Sequence, residues 1–296
     1  MRDTFSRCHP AVNFLYFTMV LAFSMIFRHP VSLAVSLVCA CAYATLLGGR
    51  SALRFQLRWM LPVILLAAVV NPAFNHYGVT ILAYFPNGNP LTLESILYGL
   101  AAAAMLAAVL MWFYCYNAVV TSDKFVYLFG RVIPALSLVL SMALRFVPRF
   151  KQQFGVVADA QRCLGRDVSS GKLFARLKTA IKIFSIVITW ALENAITTAD
   201  SMRSRGYGEP GRTAFSIYRF DARDCALMLW LGFCGVYVAA GALAHGMSFS
   251  YSPMLRGAPW LPITVSFQAV YLLLCLTPVL MECYSRLVWR KREARA

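Results

Sequence analysis

The chain has few charged side chains: Asp, Glu, Lys and Arg make up 14% of its 296 residues, against 60% hydrophobic residues. Such a composition excludes an ordinary soluble domain and is typical of a polytopic membrane protein. The apolar runs are long rather than ten-residue alternating segments, which favours helices over a β-barrel. We therefore expect an all-α fold with about six transmembrane helices.

The sequence also lacks the residue clusters that carry chemistry. Its nine cysteines and four histidines form no Cys-x-x-Cys motif and no Cys/His cluster, so no metal site is expected. No GxxxxGK[ST] phosphate-binding loop occurs, and no nucleophile lies beside a base. We expect no catalytic residue, no cofactor and no enzymatic activity. Several cysteines lie in apolar runs and are predicted to be small buried residues: Cys39, Cys41, Cys115, Cys234 and Cys275.

The net charge of +16 does not indicate nucleic-acid binding, because the cations cluster in loops and at helix ends beside apolar segments. There they serve orientation and contact with anionic lipid headgroups or protein partners. We therefore predict contact with a lipid bilayer and none with nucleic acid.

Six apolar segments are predicted to cross the membrane, and as drawn none contains Asp, Glu, Lys or Arg. With both termini inside, 26 of the 28 Lys and Arg residues fall on the cytoplasmic side and only Arg28 and Arg256 outside. Both termini are therefore predicted to be cytoplasmic. An ion-coupled carrier or channel usually keeps charged residues within its spans, which disfavours that class. The predicted spans are 11–27, 31–47, 59–73, 96–120, 225–244 and 260–281.

The chain is predicted to have three parts. Residues 1–122 hold the first four spans, and residues 224–296 hold a transmembrane hairpin with a basic tail. Between them, residues 123–223 hold 16 Lys and Arg against seven acids, which predicts a cytoplasmic or interfacial region.

A long amphipathic helix is predicted from about Leu173 to Arg205, ended by Gly206. Polar residues recur three or four positions apart, which is one face of a helix, and apolar residues occupy the other side. Two shorter helices, 135–147 and 149–164, are expected to precede it, separated at Pro148. The polar stripe is Lys178, Lys182, Ser185, Thr189, Glu193, Thr197 and Asp200.

Three segments carry a resemblance to a known family: ALRFVP at 143–148, DAQRCLGRD at 159–167 and ADSMRSRGY at 199–207. In these the chain resembles the transmembrane T component of energy-coupling factor transporters, which import vitamins and transition-metal ions. The resemblance covers essentially the full length. It implies a multi-pass protein of the bacterial or archaeal plasma membrane.

The resemblance also implies partners and site residues. In that family two coupling helices, each ending in Ala-Arg-Gly, dock on two cytoplasmic ABC ATPase subunits, and a membrane-embedded S component binds the substrate. The second motif here keeps its arginine, whereas the first has Leu164 in its place. The implied docking residues are Arg162, Cys163, Leu164, Gly165 and Arg166 at the first tip, and Arg203, Ser204, Arg205 and Gly206 at the second. Arg145, Pro148, Glu193 and Asp200 are implied to support coupling.

The alternative of another class is a membrane enzyme acting on lipid or prenyl substrates. It requires an acidic metal-binding cluster or an activated nucleophile, and the nearest acids are the isolated Asp159, Asp167 and Asp200. We therefore favour a non-enzymatic coupling subunit.

Overall fold

The computed structural model describes residues 3–75, 78–84, 90–130, 134–165, 173–207, 218–244, 246–251, 254–257, 259 and 261–293. Over these residues it is dominated by helices, with two small β-hairpins, as the composition predicts. The chain divides into two compact units, a larger one of Met1–Thr121 with Tyr218–Ala296 and a smaller one of Ser122–Ile217.

The described part of the larger unit begins with a 3₁₀ turn, Phe5–Arg7, and holds six α-helices. The helices are α1 (Pro10–Ile26), α2 (Pro30–Phe55), α3 (Leu61–Phe74), α4 (Leu93–Val119), α8 (Ala222–Leu243) and α9 (Pro262–Glu293). A π-helical segment, Gln56–Met60, joins α2 to α3. Strands β1 (Ile81–Tyr84) and β2 (Pro90–Thr92) pair antiparallel between α3 and α4, and β3 (Phe249–Ser250) pairs with β4 (Arg256–Gly257) between α8 and α9.

Two of these helices start at the same local signal, His-Pro. The Nδ1 atom of His9 accepts the backbone N–H of Ala11 at 3.2 Å, and that of His29 accepts the N–H of Val31 at 3.3 Å. Each histidine caps its helix, and the proline that follows has its φ fixed for the first turn. His9 also donates its backbone N–H to the buried carboxylate of Asp224 at 3.1 Å, which ties the start of α1 to the first turn of α8.

A buried polar network crosses the core of the larger unit. Trp112 of α4 donates its Nε1–H to Ser36 Oγ of α2 at 3.0 Å, and Ser36 lies 2.6 Å from Ser24 Oγ of α1. Ser24 is 3.3 Å from the hydroxyl of Tyr271 in α9. Because these side chains are buried, a broken hydrogen bond between them could not be replaced by one to bulk water. The network therefore fixes the four helices in one arrangement. Cys39, Cys115, Cys234 and Cys275 are buried in the same unit and Cys41 is half-buried, as the sequence predicts.

The smaller unit contains α5 (Ser122–Gly130), α6 (Pro134–Cys163) and α7 (Leu173–Ser204). Val157 of α6 packs with Ile183 and Val187 of α7, and the ring of Phe150 meets Trp190 edge-on at 6.1 Å. Later residues of α6 thus lie beside earlier residues of α7, so the two helices run in opposite directions.

Five helices are long and apolar enough to cross a membrane among the described residues: α2, α4, α7, α8 and α9. The predicted first and third spans correspond to α1 and α3, which are apolar but have 17 and 14 residues. Conversely α7, which was expected outside the membrane core, is long and apolar enough to cross a membrane.

Other sequence-based boundaries were wrong where the chain continues through an expected break. Pro148 lies inside α6, so the two helices predicted around it are one. The span predicted to end at Leu47 is in contrast followed by a break at Gly49, whose φ of 52° and ψ of −132° are not helical and suit glycine, and a further helical segment continues to Phe55. The helices also include charged residues that the predicted spans left out, notably Glu94 at the start of α4, which is 5% exposed.

Candidate coupling helices

The two helices of the candidate site end in the same way, at a glycine in the left-handed conformation. Gly165 has φ 75° and Gly206 has φ 74°. After α7, Tyr207 N–H donates to the Met202 carbonyl at 3.1 Å and Gly206 N–H to the Arg203 carbonyl at 3.0 Å. These two bonds form a Schellman cap, which stops the helix and leaves the preceding side chains at its tip.

The second tip holds the docking residues that the resemblance implies. Arg203, Ser204 and Arg205 are exposed, and Gly206 is half-buried. Ser204 donates its hydroxyl to the Ser201 carbonyl at 3.0 Å, so this small side chain folds back on its own helix. Two guanidinium groups therefore stand at the negative end of the α7 dipole with room around them for a partner.

The first tip differs in chemistry. Arg162, Cys163, Leu164 and Gly165 are exposed, and Leu164 has 68% of its surface accessible. A large apolar side chain thus occupies the place where the second tip has an arginine. Gly165 donates its N–H to the Arg162 carbonyl at 3.0 Å, which is the corresponding cap bond. Arg166 was predicted to contribute here and lies outside the described residues.

The two tips point away from each other. Helix α6 continues about 22 Å beyond the Phe150–Trp190 contact to Gly165, and α7 continues about 24 Å beyond it to Gly206, at ~1.5 Å per residue. Because the helices run in opposite directions, these extensions leave the contact on opposite sides. The arrangement offers two separate docking points rather than one composite surface.

Helix α7 presents three stripes. The predicted polar stripe, Lys178 to Asp200, is exposed along its whole length. A second stripe on one side of it, which includes Ile183, Val187 and Trp190, packs against α6. The stripe one residue earlier than the polar one is apolar yet exposed, and comprises Leu177, Ile181, Phe184, Ile188, Leu192 and Ile196.

This exposed apolar stripe was not predicted, because the spacing of polar residues indicated a single apolar side of α7. Phe184, on this stripe, is 60% exposed. The signal was present in the sequence: two apolar stripes flank the polar one. A helix that packs on one neighbour needs only a single such stripe.

The residues that the resemblance implies to support coupling lie along the two helices rather than at their tips. Arg145 and Pro148 are exposed on α6, and Glu193 and Asp200 are exposed on the polar stripe of α7. Among the described residues, these two acids form no ion pair within 4.0 Å. The neighbouring Arg149 places its guanidinium 5.6 Å from the centre of the Trp190 ring, a cation–π contact that holds α6 against α7.

Comparison with known proteins gives a family match over residues 3–215, to the model described as CbiQ, cobalt transport protein. The chain is also similar to the energy-coupling factor transporter transmembrane protein EcfT of Lacticaseibacillus paracasei, with 33% identity over 112 residues, 38% of this chain and 40% of that protein. The EcfT protein of Lactobacillus helveticus is 36% identical over 93 residues, 31% of this chain and 34% of that protein. The matches thus span only about two fifths of these relatives or less.

Proposed function

The chain belongs to the CbiQ family of cobalt transport proteins, whose relatives are transmembrane T components of energy-coupling factor transporters, and we propose that it couples two cytoplasmic ABC ATPases to a membrane-embedded S component. The relatives are transporter components, so the role is non-enzymatic. In the proposed complex the ATPases supply ATP chemistry, and the S component holds the cargo, a vitamin or a transition-metal ion.

The observation that carries this proposal is the pair of Gly-capped helix tips on antiparallel helices. Rigid helices transmit a displacement at one end to the other, since a packed helix does not bend continuously. Two tips on opposite sides of the α6–α7 contact suit two ATPase subunits that approach and separate during their cycle. Arg205 would form the joint through charge-assisted hydrogen bonds to a carboxylate or carbonyl of its ATPase.

The three stripes of α7 support an orientation along the membrane surface, although the helix is long enough to cross. A spanning helix would place Lys178, Lys182, Glu193 and Asp200 at different depths in lipid, at a high free-energy cost for each charge. A helix lying at the interface turns its polar stripe to water and its exposed apolar stripe to lipid or to the S component. We therefore propose that α7 lies at the cytoplasmic surface of a bacterial or archaeal plasma membrane.

Charge reversal at the second tip tests the proposed joint. Arg205→Glu should reach the membrane and remain folded, because the side chain is exposed. Its ATPase contact should weaken by more than about 100-fold, since reversal of a charge at a buried polar contact costs several kcal/mol. The measurements are co-purification of the ATPase subunits and ATP-dependent uptake in proteoliposomes. Lys178→Glu is the matched control, because Lys178 is an exposed cation of the same helix far from the tip.

Full ATPase binding and uptake in Arg205→Glu would show that the arginine only interacts with the helix dipole. Equal losses in Arg205→Glu and Lys178→Glu would show that the charge of α7 matters but its tip does not. Either result would contradict the docking role.

The chemical difference between the tips predicts unequal ATPase contacts. Leu164 would enter an apolar part of its groove, with Arg162 and Arg166 supplementing it, whereas Arg205 would make an ionic contact. Binding of each ATPase should be measured separately at low and high salt for Leu164→Asp, Arg162→Ala, Arg166→Ala and Arg205→Ala. High salt should weaken the Arg205 contact more, because exposed ionic contacts are screened. Equal salt sensitivity at both tips, or an unaffected Leu164→Asp, would refute the asymmetry.

A further inference from the structure

A cavity of about 490 Å³ opens at the end of the larger unit where α1 finishes, away from the N-terminal turn. Its lining includes Arg28 after α1, Glu94 and Tyr98 in the first turns of α4, and Phe249 and Tyr251 of the α8–α9 connection. Three chain connections therefore meet there, and they bring a guanidinium, a carboxylate and three aromatic rings to one space. All the described residues that line it belong to the larger unit.

Charged residues are scarce at the end of the protein that holds this cavity, and two of the three that occur in its connections line the cavity. In the three connections 27–30, 74–94 and 245–261, Glu94 is the sole acid and Arg28 and Arg256 are the sole Lys or Arg residues. The acid and one of the two cations line the same cavity. Arg256 is exposed on β4 and is not among the lining residues.

Glu94 is held in place without a countercharge. Thr80 donates its backbone N–H to Oε1 at 3.2 Å and to Oε2 at 3.3 Å, and its hydroxyl also donates to Oε1. Among the described residues no Lys or Arg nitrogen lies within 4.0 Å of the carboxylate. The side chain is 5% exposed and lies at the peripheral end of the bundle. Neutral donors fix its orientation and leave its negative charge for a cation in the cavity.

The aromatic rings favour an ammonium group over a metal ion. Tyr98 and Tyr251 meet edge to face with centroids 5.9 Å apart, and Phe249 lies 4.6 Å from Tyr251. Aromatic faces attract organic cations, whereas a divalent metal ion needs several oxygen or nitrogen ligands. The described residues place no group of three or more His, Cys, Asp or Glu where they could hold a metal.

Arg28 supplies the complementary charge. Its backbone carbonyl accepts the hydroxyl of Tyr251 at 2.9 Å, so the aromatic wall and the arginine are tied together. Its side chain is exposed, and a guanidinium binds phosphate oxygens in a bidentate geometry. Apolar side chains next to the lining residues are also exposed, Ile26 by 60% and Leu93 by 38%, and they provide contact area for acyl chains.

We propose that this cavity binds the headgroup of a zwitterionic aminophospholipid, with its primary ammonium at Glu94 and the tyrosine rings and its phosphate at Arg28. A phosphatidylethanolamine headgroup carries both charges and can donate hydrogen bonds from its ammonium to the carboxylate. Phosphatidylglycerol lacks the cation, and the quaternary ammonium of phosphatidylcholine cannot donate a hydrogen bond.

The test measures which lipid stays bound to the full-length chain. The purified protein is delipidated in mild detergent, incubated with equimolar phosphatidylethanolamine, phosphatidylcholine and phosphatidylglycerol of matched acyl chains, and examined by native mass spectrometry. We expect at least fivefold more bound phosphatidylethanolamine than phosphatidylglycerol, with phosphatidylcholine between them. Glu94→Gln should abolish the preference, whereas Arg28→Gln should lower the amount of all three bound lipids, because each of them carries a phosphate. The control Arg256→Gln, an exposed cation of the same end outside the cavity, should keep both the preference and the amount of bound lipid.

Further arms separate the lipid from a soluble ligand and a binding defect from a folding defect. Glycerophosphoethanolamine at millimolar concentration should leave the bound lipid in place. If it displaces the lipid, the cavity still binds a zwitterionic headgroup, but it accepts soluble ligands as well as lipids. If Glu94→Gln fails to give a monodisperse protein, Tyr98→Leu with Arg28→Gln carries the test. Equal retention of the three lipids by the unmodified protein, or an unchanged amount of bound lipid in Arg28→Gln, would overturn the proposal.

Discussion

Removal of one carboxyl group near the N-terminus should make the larger unit more stable at neutral pH. Asp3 is 7% exposed, and its Oδ2 accepts the hydroxyl of Tyr43 at 2.8 Å. Its Oδ1 is buried and has no hydrogen-bond partner among the described residues. The neighbouring acid Glu282 accepts the N–H and hydroxyl of Thr4 at 3.0 and 2.9 Å, so two carboxyl groups share the site where the N-terminal turn meets α9.

Burial, followed by the neighbouring Glu282, raises the pKa of Asp3 from 3.8 to about 6. The folded state therefore keeps a proton that the unfolded chain loses as pH rises above 3.8. The stability linked to this group is fully present below pH 3.8 and is lost as pH rises to about 6. The whole pKa difference corresponds to about 3 kcal/mol. Partial access of solvent to the site screens the charge, so we expect about 1–2 kcal/mol.

Asp3→Asn should recover this free energy, because the amide can accept from Tyr43 and donate to Glu282 without carrying a charge. The measurement is thermal unfolding of the full chain in nanodiscs between pH 4 and pH 8. The variant should exceed the unmodified protein in stability at pH 7.5 and match it near pH 4. Asp159→Asn, at an exposed position of α6, is the control and should not alter the pH profile.

Tyr43→Phe gives an independent test of the same reasoning. The hydrogen bond from Tyr43 lowers the pKa of Asp3, so its loss should move the pH midpoint of the stability change upward. A pH profile unchanged by Asp3→Asn, or a midpoint that falls in Tyr43→Phe, would refute the assignment of this titration to Asp3.

Two further predictions concern the start of α1 and the topology. His9→Ala should lower the free energy of unfolding by about 1 kcal/mol through loss of the Nδ1 cap, whereas His9→Asn should retain most of the cap's stabilisation. Chemical denaturation measures both. Because burial lowers the pKa of His9, the neutral form that caps the helix should persist to mildly acidic pH. Both termini should be cytoplasmic, because 26 of 28 Lys and Arg residues then lie inside. A reporter fused after Arg295 should be cytoplasmic, and one inserted within 85–90 should be external. A cytoplasmic signal from the second site would contradict this topology.

The features that the sequence predicted correctly are local ones. The polar stripe of α7 and its end at Gly206 depend on spacing within one helix and on a glycine in the left-handed conformation. Neither requires knowledge of a neighbour. The exposed cations of the second tip follow from the same reasoning, because they lie where the helix dipole favours them and beyond the packed stripe.

The features that the sequence did not predict depend on partners distant in the chain. Pro148 was expected to end a helix, yet α6 continues through it with Arg149 held over Trp190. A proline removes only one backbone donor, and packing against a second helix can offset that loss. Glu94 was left outside the fourth span, since its burial depends on Thr80 in the preceding connection.

The two units bury their apolar residues to very different extents, and this bears on how a coupling subunit would work. The larger unit has an extended core of helix-packing residues and the polar network around Trp112, whereas the buried apolar cluster among the described residues of the smaller unit is Val157, Ile183 and Val187. Nine large apolar side chains in the described part of α7 are exposed, six of them on its exposed apolar stripe, and Leu164 is exposed at the tip of α6. Because apolar burial is the main source of stability, the smaller unit must gain much of its own from lipid and partner surfaces. Helices with few internal contacts can change their arrangement at low cost when those surfaces move, which is the property that a lever between ATPases and a substrate-binding subunit requires.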